Sequence, residues 1–308
     1  MAMRKLLLLL KPFDVYSPPH GASPQILHHL DSRRKVHLET IKFCQAILQK
    51  KPVEWKALER NDLSHPINDV DLVVTVGGDG TLLQASHFMD DRIPILGVNS
   101  DPTRNDEVER FNDEFDATRS TGRLCAATVE NFELVLNGIL EGQTAPSKLT
   151  RISISVNTHQ LPTYALNDIL VAHPCPAALS AFSFRIRKEN RPCSPLVNCR
   201  SSGLRVSAAA GSTAAMHSAG GFLMPILSQD LQYMVREPIL PGPLLNLMHG
   251  VIKHDQVMNI TWSCKEGVIY VDGYHVNYTI QDGDTVDISN RAPILKVFLP
   301  NQLLISAL

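Results

Sequence analysis

The run Asp71-Leu-Val-Val-Thr-Val76, leading without a break into Gly77-Gly78-Asp79-Gly80-Thr81, decides the fold. Its β-branched, apolar half reads as a strand. The glycines carry no Cβ and permit positive φ, so backbone there can approach a phosphate closely. A helix beginning near Thr81 presents unpaired N–H groups and the positive end of its dipole to such an anion. Asp79 stands in this loop at the C-terminal end of a strand, where open α/β sheets bind ligands. Beside phosphate, a carboxylate without an evident charge partner reads as a chemical group. The plainer alternative is a glycine-rich turn whose aspartate caps the next helix.

Outward from this unit, strands and helices alternate. Lys5–Leu10 is a first buried strand, and Ser23-Pro24 supplies an N-cap with proline at the first helical position. The helix runs to about Lys50, with Leu27, Leu30, Leu38, Ile41 and Leu48 at compatible spacing, and Pro52 stops it. His28, His29 and His37 on it are expected to be solvated. A short buried strand, Ile93–Val98, ends at Asn99. This alternation predicts a parallel sheet faced by helices.

From Lys148 the pattern changes to short β-branched segments such as Arg151–Val156, Ala181–Lys188 and Thr285–Ile288, with turn signals at Asp272-Gly273 and Asp282-Gly283. The expected fold is therefore an α/β Rossmann-like domain over 1–145, followed by an all-β, β-sandwich-like domain over 146–291.

Length and composition agree with two globular domains: 308 residues, 44% hydrophobic and 19% charged. A net charge of -2 gives no footprint for nucleic acid or an anionic membrane. The run Leu6–Leu10 is too short for a signal peptide or a membrane span, so an intracellular protein is expected. The six cysteines form no C-x-x-C pair, and reduced thiols are expected, with no metal site. The P-loop, protein-kinase and G-x-G-x-x-G motifs are missing.

Gly-Gly-Asp-Gly-Thr after an apolar strand resembles the NAD kinases and, more distantly, the diacylglycerol and sphingosine kinases and phosphofructokinases. Gly97-Val98-Asn99 is similar to the NAD kinases' G-x-N strand end, and Asn167-Asp168 to their Asn-Glu/Asp pair. Arg200 to Thr213, with Gly211-Ser212-Thr213 retained, resembles their R-x-D-G…G-S-T segment, and Val271-Asp272-Gly273 a late V-D-G turn. Within the family the chain looks most like the plant-type NADH kinases.

The resemblance implies an ATP-dependent kinase acting on the adenosine ribose 2′-hydroxyl of NADH and NAD⁺, with Mg²⁺ accompanying ATP. It implies Asp79 as the base and Gly77, Gly78, Gly80, Thr81, Asn99, Asn167, Asp168, Arg200, Ser212 and Thr213 as substrate-binding residues. It also implies a homodimer, a dinucleotide lying between the domains, and a tail over 292–308 that returns to the first domain. Three positions depart from the family pattern: Ser202, Ala210 and Ala215 replace an acid, a Thr and a Tyr. If the matched positions lie near the nicotinamide ring, that ring loses a negative neighbour and keeps the positive Arg200, so a preference for the neutral ring of NADH is expected. A lipid kinase and a non-catalytic dinucleotide sensor are the alternatives. The cytoplasm is the expected compartment, with the peroxisome as alternative because Ser306-Ala307-Leu308 is similar to an S-K-L address.

Overall fold

A computed structural model of the chain describes residues 4–18, 20–189, 191–239 and 246–305. The chain folds as two compact units, one running up to Ser147 and resuming at Lys296, the other spanning Lys148–Leu295.

The first unit is built on a parallel sheet. Its strands are β1 (Arg4–Leu10), β2 (Val53–Glu59), β3 (Leu72–Gly77), β4 (Ile95–Asn99) and the C-terminal strand Leu295–Phe298, in the order β2-β1-β3-β4 and then the C-terminal strand. Leu6 to Leu9 are buried on both sides of β1, which explains an unbroken leucine run where alternation would mark a half-exposed strand. Helix α1 (Pro24–Gln49) begins as its sequence dictates: the Ser23 hydroxyl accepts from the Ile26 N–H at 3.3 Å, with proline following. Ile41, Cys44 and Leu48 pack on Leu6, Leu8, Val74 and Phe132. Helices α2 (Asp79–Ser86), α3 (Asn105–Phe111) and α4 (Phe132–Leu140) complete the unit.

Two expectations fail here. β2 was not foreseen, because Val-Glu-Trp-Lys-Ala-Leu-Glu is an edge strand whose side chains are mostly outside the core. His29 and His37 are not solvated but 6% and 0% exposed: His29 packs against Phe111 and Phe115 beside Glu107, and His37 is hydrogen-bonded at both ring nitrogens. His28 is exposed.

The second unit is a sandwich of two antiparallel sheets. Its longer strands are β5 (Ser153–Val156), β6 (Asp168–Ala172), β7 (Ser180–Lys188), β8 (Val197–Ser201), β9 (Gly203–Ser207), β10 (Leu231–Arg236), β11 (His249–Ile252), β12 (Gln256–Trp262), β13 (Gly267–Val271), β14 (Val276–Ile280) and β15 (Thr285–Ser289). One sheet runs β8-β7-β12-β15-β5, the other β11-β10-β9-β6-β13-β14. Alternate residues of both sheets, among them Phe182, Phe184, Trp262, Val171 and Val206, share one buried core. All six cysteines are free thiols.

Candidate active site

The glycine loop begins where β3 ends. Helix α2 starts at Asp79, two residues before the sequence suggests, with Gly78 as its N-cap. Gly77, Gly78 and Gly80 all keep negative φ, so their use is close approach and not left-handed backbone. A Cβ on Gly77 would lie 2.2 Å from the Thr81 Oγ1, and one on Gly78 2.0 Å from the Ser120 Oγ. Gly80 has open space on one side.

Asp79 does not cap its own helix. Its carboxylate reaches instead to the segment after α3. One oxygen accepts the Arg123 N–H at 2.8 Å and the Thr121 hydroxyl at 3.3 Å; the other accepts the Leu124 N–H at 2.8 Å. The charge thus has amide partners that sequence could not reveal. Asp79 staples the glycine loop to Thr121–Cys125.

Asn99 serves the same junction. Its amide donates to the Ser120 carbonyl at 3.1 Å and accepts the Asp101 N–H at 3.4 Å, and Gly122 (φ +58) packs where a Cβ would touch that amide. Behind it, buried Asp101 binds both Arg33 (2.8 Å) and Arg119 (2.6 Å), and Arg119 forks onto Glu107. His37 closes the network with Nδ1 2.7 Å from the Ser100 hydroxyl and Nε2 2.9 Å from the Lys11 carbonyl. A carbonyl only accepts, so Nε2 carries the proton and Nδ1 accepts from Ser100. Burial, aided by the Lys11 charge, holds this ring below its ordinary pKa and keeps it neutral.

In the second unit, a cleft of about 420 Å³ is lined by Asn167, Asp168, Arg205, Ala215, Tyr270 and Tyr274, among others. Asp168 opens β6 and pairs with Arg205 of the adjacent β9. Burial pushes the Asp168 carboxyl above its ordinary pKa; the Arg205 charge opposes this and that of Asp272 adds to it. The turn that presents the pair is held by Asp272, whose carboxylate accepts the N–H groups of Leu166, Asn167 and Asp168 at 2.8–3.0 Å. Gly211 is obligatory, because a Cβ there would sit 2.2 Å from the Asn167 carbonyl oxygen.

Within this unit the predicted residues separate. Asn167, Asp168 and the Gly211–Thr213 turn come together. The Ser212 hydroxyl is buried and spent on Ala209 and Met224. Arg200 is exposed on β8, away from the pair. Ser207 stands opposite Asp168, and Ser202 lies farther along the same chain, roughly 16 Å away at ~3.3 Å per residue. The Ser202 hydroxyl donates to the Glu237 carboxylate. Arg205 and Asp272 were missed as site residues; the one signal was Asp272 within the V-D-G turn.

A doubly faced parallel sheet with a glycine loop and an engaged aspartate at its strand ends, continued into a β-sandwich whose cleft sets Asp168 and Arg205 beside two tyrosines, defines a two-domain phosphotransferase. The model of the ATP-NAD kinase N-terminal domain matches residues 29–101. The chain is 56% identical over 321 residues to a probable NADH kinase of Oryza sativa subsp. japonica, covering 99% of each. It is 62% identical over 306 residues to an NADH kinase of Arabidopsis thaliana, covering 97% of this chain and 96% of the relative. The crystal structure of yeast NADH kinase complexed with NADH shares the fold, with a TM-score of 0.69 at 16% identity over 99% of this chain and 86% of that one. The chain belongs to the NAD kinase family. The comparisons give no support to a lipid kinase.

Proposed function

We propose that this chain transfers the terminal phosphate of Mg²⁺-ATP to the 2′-hydroxyl of the adenosine ribose of NADH, and also of NAD⁺. What carries this reading is an intact Gly77–Thr81 loop in a chain similar over its full length to two plant proteins named NADH kinase. Phosphoryl transfer asks a protein mainly for in-line positioning and charge neutralisation. Asp79 accepts the hydroxyl proton as the new O–P bond forms and ADP departs. Mg²⁺ enters with ATP and offsets charge on the phosphates. Asn167, Asp168 and Arg205 offer the dinucleotide hydrogen bonds, and Tyr270 and Tyr274 offer it ring faces.

The test is a purified-protein assay with ATP and, separately, NADH, NAD⁺ and a diacylglycerol. NADPH formation is expected. Product from the diacylglycerol alone, or none from any acceptor, overturns the reading.

The proposed assembly is a homodimer, supported by Phe222, Leu223 and Leu227, which are 44%, 58% and 45% exposed on one short stretch. Light scattering at micromolar concentration giving the 34.1 kDa of one chain would contradict it. The proposed compartment is the cytoplasm. Among the described residues no helix is long and apolar enough to cross a membrane. Ser306-Ala307-Leu308 lies outside the described residues, and a fluorescent fusion with a free C-terminus separates cytoplasm from peroxisome.

A further inference from the structure

We propose that Lys11 and Arg60 are the cations that hold the ATP polyphosphate against the Gly77–Thr81 loop. This deepens the activity proposed above and rests on it for the identity of the polyphosphate.

The two side chains reach the loop from different elements. Lys11 follows β1, and its N–H donates to the Val76 carbonyl at 2.9 Å, so it starts beside the end of β3. Its Cβ is 3.0 Å from where a Cβ on Gly77 would stand. Arg60 begins the single turn after β2, and one guanidinium nitrogen lies 3.8 Å from the Cβ position of Gly80. One cation thus flanks each end of the glycine loop, with helix α2 starting between them.

Neither cation has a carboxylate partner within salt-bridge distance among the described residues. Among the described residues the Lys11 ammonium donates to the Tyr16 hydroxyl, at 3.1 Å, and lies 4.4 Å from that ring's centre. The Arg60 Nε is buried without a hydrogen-bond partner. Of the nearby carboxylates, Asp101 is already held by Arg33 and Arg119, and Asp14, whose charge acts on Arg60, accepts from the Asn61 amide. A guanidinium nitrogen is not ordinarily buried bare, and a missing acceptor is the simplest reason for it.

The electrostatics agree. Burial and the charge of Arg33 bring the Lys11 pKa down to about 8, with Arg60 adding and Asp101 opposing. The other groups facing Lys11 are Tyr16, whose hydroxyl burial pushes up, and neutral His37. Lys11 is therefore a cation held partly discharged by its surroundings. An arriving polyanion restores its proton, so binding takes up a proton above pH 8.

The test measures equilibrium binding of ATP, of inorganic tripolyphosphate and of NADH, each alone, by calorimetry. Lys11→Met and Arg60→Gln are each expected to weaken ATP and tripolyphosphate ~10-fold or more, the size of one charge-assisted hydrogen bond. NADH affinity is expected to stay within about twofold. Wild-type ATP affinity falls as pH rises through 8, and Lys11→Arg abolishes that fall because arginine keeps its proton. Packing of Lys11 on Tyr16 alone would produce no such profile. Folded variants that bind ATP within about twofold of wild type overturn the inference. So does a loss confined to NADH, which would put the dinucleotide's own pyrophosphate at the loop. Tripolyphosphate binding that needs both residues, in a protein that phosphorylates neither dinucleotide, keeps this inference and removes the activity.

Discussion

Asp79 performs two tasks with one carboxylate. It is the proposed base, and it also holds the Arg123 and Leu124 amides at 2.8 Å. Asp79→Asn removes basicity but also turns an amide NH₂ toward one of those N–H groups. The expected outcome is a turnover loss of ~10²–10⁴, typical for a general base, together with about 1–3 kcal/mol of stability from an unsatisfied donor. Single-turnover rates and urea unfolding on the same sample separate the two; unchanged turnover in the folded variant removes the base assignment. Asp272→Ala tests the other carboxylate. It strips the acceptor from three backbone N–H groups, at about 1–3 kcal/mol for each that stays buried. KM for the dinucleotide should rise while KM for ATP does not; a parallel rise in both contradicts a positioning role. Lys11 also gives a pH signature. Its folded pKa, about 8, lies below the ordinary 10.5, so the unfolded chain holds more protons between them. Stability from this group therefore rises as pH climbs from 8 to 10.5, and Lys11→Met should flatten that limb of a denaturation series. Asp79 was legible in sequence because its motif is contiguous. Arg205 and the amide partners of Asp272 were not, because they stand 37 and about 105 residues from what they hold, and only the fold brings them together.

At the scale of elements, local chemistry was readable wherever it was strong. Ser23-Pro24 opens α1 as read, and Ser23→Ala should cost about 1 kcal/mol of stability. The loss should appear in thermal unfolding with little change in the rate of phosphate transfer; an unchanged midpoint would contradict the cap. β2 was lost because an edge strand needs no clean alternation, and its pairing with β1 is a long-range backbone contact. His37 was misjudged because a polar residue on an amphipathic helix reads as solvent-facing. Its partners, the Lys11 carbonyl that accepts from Nε2 and the Ser100 hydroxyl that donates to Nδ1, come from other strands' ends. The departures at Ala210 and Ala215 now have different meanings. Ala210 is buried beside the obligatory Gly211, whereas Ala215 is exposed at the cleft, where Tyr270 and Tyr274 supply aromatic surface.

For the molecule as a whole, the two fold classes followed from periodicity: runs between helices in the first half, short alternating segments in the second. Each unit has its own core, one around Val74 and Phe132, the other around Trp262 and Phe184. The first unit's sheet is nevertheless continued past β4 by the C-terminal strand, with Val297 and Phe298 registered on Ile95 and Leu96. A chain ending at residue 294 should leave the buried edge of β4 uncovered, and dye binding and aggregation should rise. Equal solubility and melting behaviour would deny that strand its role. The same return has a consequence during synthesis. The α/β unit's sequence leaves the ribosome first, yet its last strand is made only after all of Lys148–Leu295. At ~5–20 residues per second, that wait is about seven to thirty seconds. Through that interval β4 is a nascent strand with an open edge beside Asp79's loop, and the sandwich's own last strand, β15, precedes the covering strand by only a few residues. Chaperone demand in the cell should therefore fall on the first-made half of this protein, not on the last.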